Sequence, residues 1–305
     1  MDHEIKLIDN QAAIEDVHRN QRQFRHQAMA TVFGIFPVHD NTTYAAQAAQ
    51  AAFQLIDRLE QELSRYQPNS DISKINSLTQ FQSARLSLDC FECLRDCQEL
   101  YQASRGAFDI SAGPLIDLWK DREDTPAAQA IQKALQLVGL PWLHLDSDAC
   151  IATCMNRSIT IDLGGYGKGY AVDAVKALLQ EWSIAGGLIH GGQSTVCAFG
   201  KKSWPLVLRH PQKPEIVLQT IELKDQAISA SGIRRRGHII DPRSGYPVNH
   251  HLACWVITDK AARADALSTA FMVMSTAEVD AYCKQNPEIR SSLVLLHDGS
   301  LIKFE

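Results

Sequence analysis

The sequence predicts an α+β fold, and three observations lead there. Apolar residues recur at helical spacing in some windows and alternate at strand spacing in others. The two kinds of segment mix without a regular strand–helix–strand rhythm, which argues against a doubly wound parallel sheet. Hydrophobic residues make up 45% of the 305-residue chain and charged residues 21%, enough to bury a core without covalent staples. The chain carries no sharp linker and no low-complexity tract, so it divides into a polar N-terminal arm over 1–23 and one domain over 24–305.

Residues 24–38 read as a strand entering the fold. Residues 43–65 are an alanine-rich helix with Phe53, Ile56, Leu59 and Leu63 on one face. Ser70 to Asn76 starts a short helical turn, and 88–104 form a helix stopped at Gly106. Thr125-Pro126 pairs an N-cap with a proline at the first helical position, opening a helix to Val138 that ends at Gly139. Strand-like runs follow near 143–146, 158–163, 187–199, 204–209, 215–223 and 252–258. A helix over 261–275, a further short helix and strands near 292–297 and 301–304 complete the chain.

The stretch from Ser158 to Asp173 organises the rest. Ile159, Ile161 and Leu163 alternate with polar residues; then Gly164, Gly165, Gly167 and Gly169 crowd around Lys168. An amphipathic helix follows with Val172, Val175, Leu178, Leu179 and Trp182. A strand, a glycine turn and a helix start can turn backbone N–H groups toward phosphate oxygens, and Lys168 adds a point charge. The stretch matches neither Walker A, because Gly169 follows the lysine, nor the dinucleotide pattern, whose third glycine would be Tyr170. A tight turn between two core elements is the competing reading. Asp173 reads as an acidic residue suited to its own helix's dipole.

Asp265 and Thr269 lie four apart on a helix and face the same way, a carboxylate and a hydroxyl suited to Mg²⁺ with substrate phosphate and water. Taken alone, such a pair is common and usually means a solvated face. A lone histidine such as His238, before Ile-Ile-Asp-Pro, is more often structural or exposed than catalytic, but it is the side chain type best suited to take a proton at neutral pH. Cys90, Cys93 and Cys97 lie three and four apart on a helix; small buried residues are favoured there over a structural zinc site. The eight cysteines suit a reducing compartment better than a disulfide framework. A net charge of −5 gives no sign of a nucleic-acid groove; the one basic cluster, Arg234 to Arg236, is short.

Six separated motifs agree in order and spacing with one family. They are Met29-Ala30-Thr31; Ser64-Arg65-Tyr66 with Pro68 and Ser70; Gly106 to Asp109; Asp162 to Gly169; Ser231-Gly232 with His238 to Pro242 and Gly245; and Ala264 to Thr269. Over roughly 24–305 the chain resembles the ApbE family, FAD:protein FMN transferases. The resemblance implies mixed and antiparallel sheets packed with helices, with the active site in a cleft between lobes. It implies that Met29, Tyr66, Ala107, Phe108, Asp109, Asp162, Lys168 and Ile239 contact FAD. It also implies that Gly165, Asp265 and Thr269 hold Mg²⁺, with Gly165 offering its backbone carbonyl, and that His238 deprotonates the acceptor hydroxyl.

The activity so implied is Mg²⁺-dependent transfer of FMN from FAD to a Ser or Thr hydroxyl of an acceptor protein, releasing AMP. An FAD pyrophosphatase and a non-enzymatic FAD-binding protein are the alternatives. Where many members carry Asn-x-Gly-Gly-Asp or Glu, this chain reads His190-Gly191-Gly192-Gln193-Ser194, so the acid is missing and His190 becomes a second candidate base. The family's acceptor motif has no match here, since Asp298-Gly299-Ser300-Leu301 fails after two positions; a separate partner protein is expected. The N-terminus lacks an apolar signal core and no long apolar run occurs, so a cytoplasmic location is expected, or a periplasmic one if a leader has been removed.

Overall fold

The computed structural model describes residues 22–120, 122, 124–155, 158–233 and 239–305; all but the last two residues of the N-terminal arm, the arginine cluster and His238 lie outside them. An eight-stranded antiparallel sheet forms the frame. In chain order its strands are β1 (Phe24–Ala28), β2 (Thr31–Pro37), β6 (Gly187–Gly191), β7 (Thr195–Phe199), β10 (Ala227–Gly232), β11 (Ala253–Thr258), β12 (Ile289–Leu295) and β13 (Leu301–Phe304). They also lie side by side in that order, and each pairing is antiparallel. A three-stranded sheet joins β3 (Ser83–Arg85), β4 (Leu143–Asp146) and β5 (Ile151–Cys154), and β8 (Trp204–His210) pairs with β9 (Lys213–Leu223).

The large sheet is covered on both faces, and its strands show it. Along β10, Ala227 packs into the main helical core while Ile228 and Ala230 pack under β8 and β9 with Trp204, Leu206 and Leu208. Side chains alternate across a strand, so Ser229 and Ser231 share the helical face with Ala227. The same alternation puts Ile189 and Cys197 on the helical face and Leu188 and Val196 on the other.

Eight α-helices occur among the described residues, and the sixth and seventh carry site residues. Helix α1 (Thr42–Leu63) buries Ala45, Ala48, Ala49, Ala52, Phe53, Ile56, Leu59 and Leu63, and Asn41 caps it by accepting from the Thr43 and Tyr44 N–H groups at 3.0 Å. The next four helices are α2 (Asp71–Asn76), α3 (Leu88–Ala103), α4 (Gly113–Trp119) and α5 (Ala128–Leu135); α6 runs Gly167–Glu181 and α7 Ala261–Val273, before α8 (Thr276–Gln285). Helix α7 is buried almost all round, as an apolar helix must be, yet it carries Asp265 and Ser268 inside the protein.

Several sequence expectations need correction. Residues 24–38 are a hairpin, because the chain turns at Met29 (φ 50) and Ala30 (φ 55). Both central residues in the left-handed region suit the strand twist, but that turn usually signals itself with Asn or Gly. The run over 187–199 likewise folds back at Gly192 (φ 69) into β6 and β7. Residues 158–163 keep the expected alternation, with Ile159, Ile161 and Leu163 buried, but form no strand. The Asn76 side chain takes the place of a neighbouring strand: its Oδ1 accepts from the Ile161 N–H (2.6 Å) and its Nδ2 donates to the Ile161 carbonyl (3.0 Å). Helix α5 starts after Ala127 without a side-chain cap, so Thr125-Pro126 stands outside it.

Candidate active site

The glycine turn and helix α7 meet on the helical face of the large sheet. Asp265 is 4% exposed, and each carboxylate oxygen is held from a different element. Ser229 on β10 donates to Oδ1 at 3.1 Å. The Gly169 N–H of α6 donates to Oδ2 at 3.3 Å, and the Lys168 ammonium stands 3.5 Å from the same oxygen. Because a carboxylate only accepts, Ser229 has spent its proton, so the Thr195 hydroxyl at 2.9 Å must donate to Ser229. Thr195, Ser229 and Asp265 therefore form a directed chain of hydrogen bonds across β7, β10 and α7.

Thr269 follows one helical turn later. Its Oγ1 lies 3.3 Å from the Asp265 carbonyl and 3.2 Å from Ser231 Oγ, which also reaches Ser268 at 2.9 Å. Gly165 faces this hydroxyl: a Cβ built there would stand 3.3 Å from Thr269 Oγ1 and 3.5 Å from Phe108. The structure thus brings together Gly165, Lys168, Asp265 and Thr269, with Phe108 beside them. Sequence reasoning missed Thr195 and Ser229; hydroxyls on the helical face of two central strands were the available signal, hidden because β10 was not foreseen.

The turn is braced from behind. Lys168 Nζ donates to the Gly164 carbonyl at 2.9 Å. Asp162 Oδ1 accepts from the Gly164 N–H at 2.7 Å, and its Oδ2 accepts from Arg65 at 3.0 Å. Arg65 also reaches Asp117 at 2.5 Å and lies over the Tyr66 ring at 5.4 Å, while Lys120 lies over the same ring at 5.3 Å. Tyr66 is 67% exposed, so ordinary core packing does not account for it. Phe108 and Ala107 are buried in the main core.

The other candidates lie on surrounding loops, and no described hydrogen bond joins them to Asp265. Asp109 accepts from the Ser111 N–H (2.7 Å) and hydroxyl (2.6 Å), and burial holds its carboxyl above the usual range. Ser111 Oγ in turn accepts from the Gly139 N–H, so Asp109 ties two loops together. Met29 sits in the β1–β2 turn, whose Thr31 packs against Gly192. Ile239 packs on the main core, and its carbonyl accepts from Val248 at 3.0 Å.

Two residues change role. His190 is not positioned as a base beside this group. It shares the face of Leu188 and Val196 on the far side of the sheet, its Cδ2 2.7 Å from where a Gly34 Cβ would stand. Burial pushes its imidazole down to about 4, and its Nδ1 lies 3.0 Å from the Gly192 carbonyl. Asp173 does not serve the start of its own helix; it accepts from the N–H groups of Ala261 (2.8 Å) and Ala262 (2.9 Å), the start of α7. Cys90, Cys93 and Cys97 are buried in α3, and burial drives the Cys93 and Cys97 thiols far up.

The oxygen set of one carboxylate, one hydroxyl and the facing glycine backbone fits a hard cation such as Mg²⁺, which takes few protein ligands and completes its shell with water and phosphate. Among the described residues no three His, Cys, Asp or Glu side chains converge on a metal position, so an all-carboxylate or zinc-type cage is not the pattern here. Among the described residues, no helix is long and apolar enough to cross a membrane.

Comparison with known proteins gives the same fold. The chain is 26% identical to the Pseudomonas stutzeri flavinyl transferase ApbE in its apo form, with a TM-score of 0.83 covering 94% of this chain and 95% of that one. It is 28% identical over 238 residues to an FAD:protein FMN transferase of Haemophilus influenzae (70% of this chain, 68% of that protein). It is 25% identical over 265 residues to one of Vibrio cholerae (81% and 79%). The ApbE family model matches residues 29–293, and the chain belongs to the ApbE family.

Proposed function

We propose that this protein transfers the FMN moiety of FAD to a Ser or Thr hydroxyl of an acceptor protein. The acceptor oxygen bonds to the FMN phosphorus as the pyrophosphate bond breaks, and AMP leaves. One observation carries the reading: Gly165, Lys168, Asp265 and Thr269, far apart in sequence, converge on one polar group inside an otherwise apolar helix layer. The names of the relatives, FAD:protein FMN transferase, agree with it.

Each residue has a task in this reading. Lys168, already paired with Asp265, holds pyrophosphate charge beside the glycine turn. Asp265 and Thr269, with the Gly165 carbonyl, hold Mg²⁺, which when bound neutralises charge on the phosphate oxygens. Tyr66, exposed between Arg65 and Lys120, offers a ring face to a flat heterocycle. Phosphoryl transfer asks a protein mainly for positioning and electrostatics, which such a hydrogen-bonded, charged group supplies. His238, assigned through the family resemblance, takes the acceptor proton.

The test is intact mass spectrometry of a peptide carrying the family's acceptor motif, incubated with this protein, FAD and Mg²⁺. A mass gain of one FMN residue with AMP released is the expected result. FMN and AMP in solution without labelling would replace this reading with a pyrophosphatase. Intact bound FAD would replace it with a flavin-binding protein, provided a known transferase labels the same peptide in parallel.

A further inference from the structure

We propose that Asp173 is a positioning residue for the Asp265 site: its carboxylate locks the first turn of α7 to α6 and so fixes where Asp265 stands relative to the glycine turn. The inference rests on the reading of Asp265 as a cation ligand.

Helix α7 needs an outside partner at its start. Its N-cap, Lys260, makes no side-chain cap bond, and the first N–H groups of a helix have no partners within it. Asp173, one and a half turns into α6, supplies both oxygens to two successive N–H groups of that turn. A carboxylate at a helix start also complements its dipole. The junction has no slack, because Gly169 lies so close to α7 that a Cβ there would stand 2.6 Å from Ala262 Cα.

The lock and the ligand lie on the same two helices. Lys168 and Gly169 precede Asp173 by about one turn on α6, and Asp265 follows Ala261 by one turn on α7. Fixing residues 261 and 262 against 173 therefore brings Asp265 Oδ2 to the Gly169 N–H and the Lys168 ammonium. A second brace acts nearby: Asp96 on α3 accepts from Tyr166, just before α6, and pairs with Arg263 of α7. The lock is kept although burial pushes the Asp173 carboxyl up to about 6. A helix start in need only of capping is served at lower cost by an exposed Ser or Asp on its own chain segment.

The test titrates Mn²⁺ into the full chain with FAD present and follows free Mn²⁺ by its EPR signal, with thermal unfolding measured alongside. Asp173→Ala is expected to weaken Mn²⁺ binding about tenfold or more at temperatures where the variant stays folded, and Asp173→Asn by less, since its amide oxygen retains one acceptor. If either variant is folded and binds Mn²⁺ as the parent does, with only its unfolding temperature lowered, Asp173 is a structural cap and the proposal is overturned. Should Asp173→Ala not fold, Asp173→Asn decides alone. Asp265→Ala separates the two ideas: undiminished Mn²⁺ binding there would overturn the ligand reading itself, whatever the Asp173 variants show.

Discussion

Gly169→Ala tests the closeness of α6 and α7 directly, and Gly167→Ala is its control two residues away. A methyl at Gly169 would stand 2.6 Å from Ala262 Cα and 2.7 Å from the Ala261 carbonyl carbon, where ordinary contact begins near 3.4 Å. Both atoms are backbone, so no rotamer change relieves the clash, and the helices must part by at least about 0.8 Å, the difference between 2.6 and 3.4 Å, since the Ala261 carbonyl oxygen would lie closer still. Overpacking of this kind costs about 1–3 kcal/mol. Parting the helices also stretches the two Asp173 bonds, now 2.8 and 2.9 Å, and hydrogen bonds to a charged group are each worth roughly 1.5–3 kcal/mol. The gain in helix propensity from Gly to Ala, up to about 1 kcal/mol, offsets part of this. The expected loss is about 2–4 kcal/mol, read as a lowered urea midpoint at unchanged slope. At Gly167 the nearest atom to such a methyl is Leu163 Cβ at 3.8 Å, so Gly167→Ala should be neutral or slightly stabilising. Equal midpoints for the two variants, within about 0.5 kcal/mol, would refute the close approach.

Asp265→Ala should abolish metal-dependent turnover, and near-normal labelling of the acceptor peptide would remove Asp265 from the site. Tyr66→Ala should leave stability unchanged, since the ring is 67% exposed, but weaken FAD binding severalfold, from about 1 kcal/mol of lost ring contact; an unchanged KM for FAD would take Tyr66 out of the binding surface. Asp173 has its carboxyl raised to about 6, so its contribution to stability is present below the ordinary carboxylate value and lost as pH rises through 6. Asp173→Asn should therefore remove a fall of up to about 3 kcal/mol between pH 4 and 6, seen in denaturation at several pH values. His190, lowered to about 4, acts with the opposite sign: its contribution is present above 6.5 and lost as pH falls toward 4. His190→Asn should flatten that slope without shifting the pH profile of transfer; a shifted profile would return His190 to the candidate bases.

Where the sequence was legible, and where it was not, follows from how each residue is satisfied. Helix α1 was readable because its alanines and its apolar stripe lie within one stretch of chain. The alternating run at 158–163 misled because alternation reports burial, not pairing; its partner is the Asn76 side chain, 85 residues away, and side-chain mimicry leaves no periodic trace. The Met29-Ala30 turn was invisible because neither residue is the Gly or Asn that a positive φ favours. That departure falls on a residue the family resemblance places against FAD, and local rules are broken most often at functional sites. Asp265 and Thr269 were named through the resemblance, whereas their spacing alone favoured a solvated face. Burial decides between the two: a carboxylate 4% exposed, on a helix buried almost all round, must be satisfied from outside that helix. Ser229 and Gly169 answer that need from two other elements, and Thr195 stands behind Ser229. Such partners belong to a contact map rather than to a motif. The motif names the ligand; the sheet and helix junction around it determine how firmly that ligand is held, which is what the Asp173 and Gly169 substitutions measure.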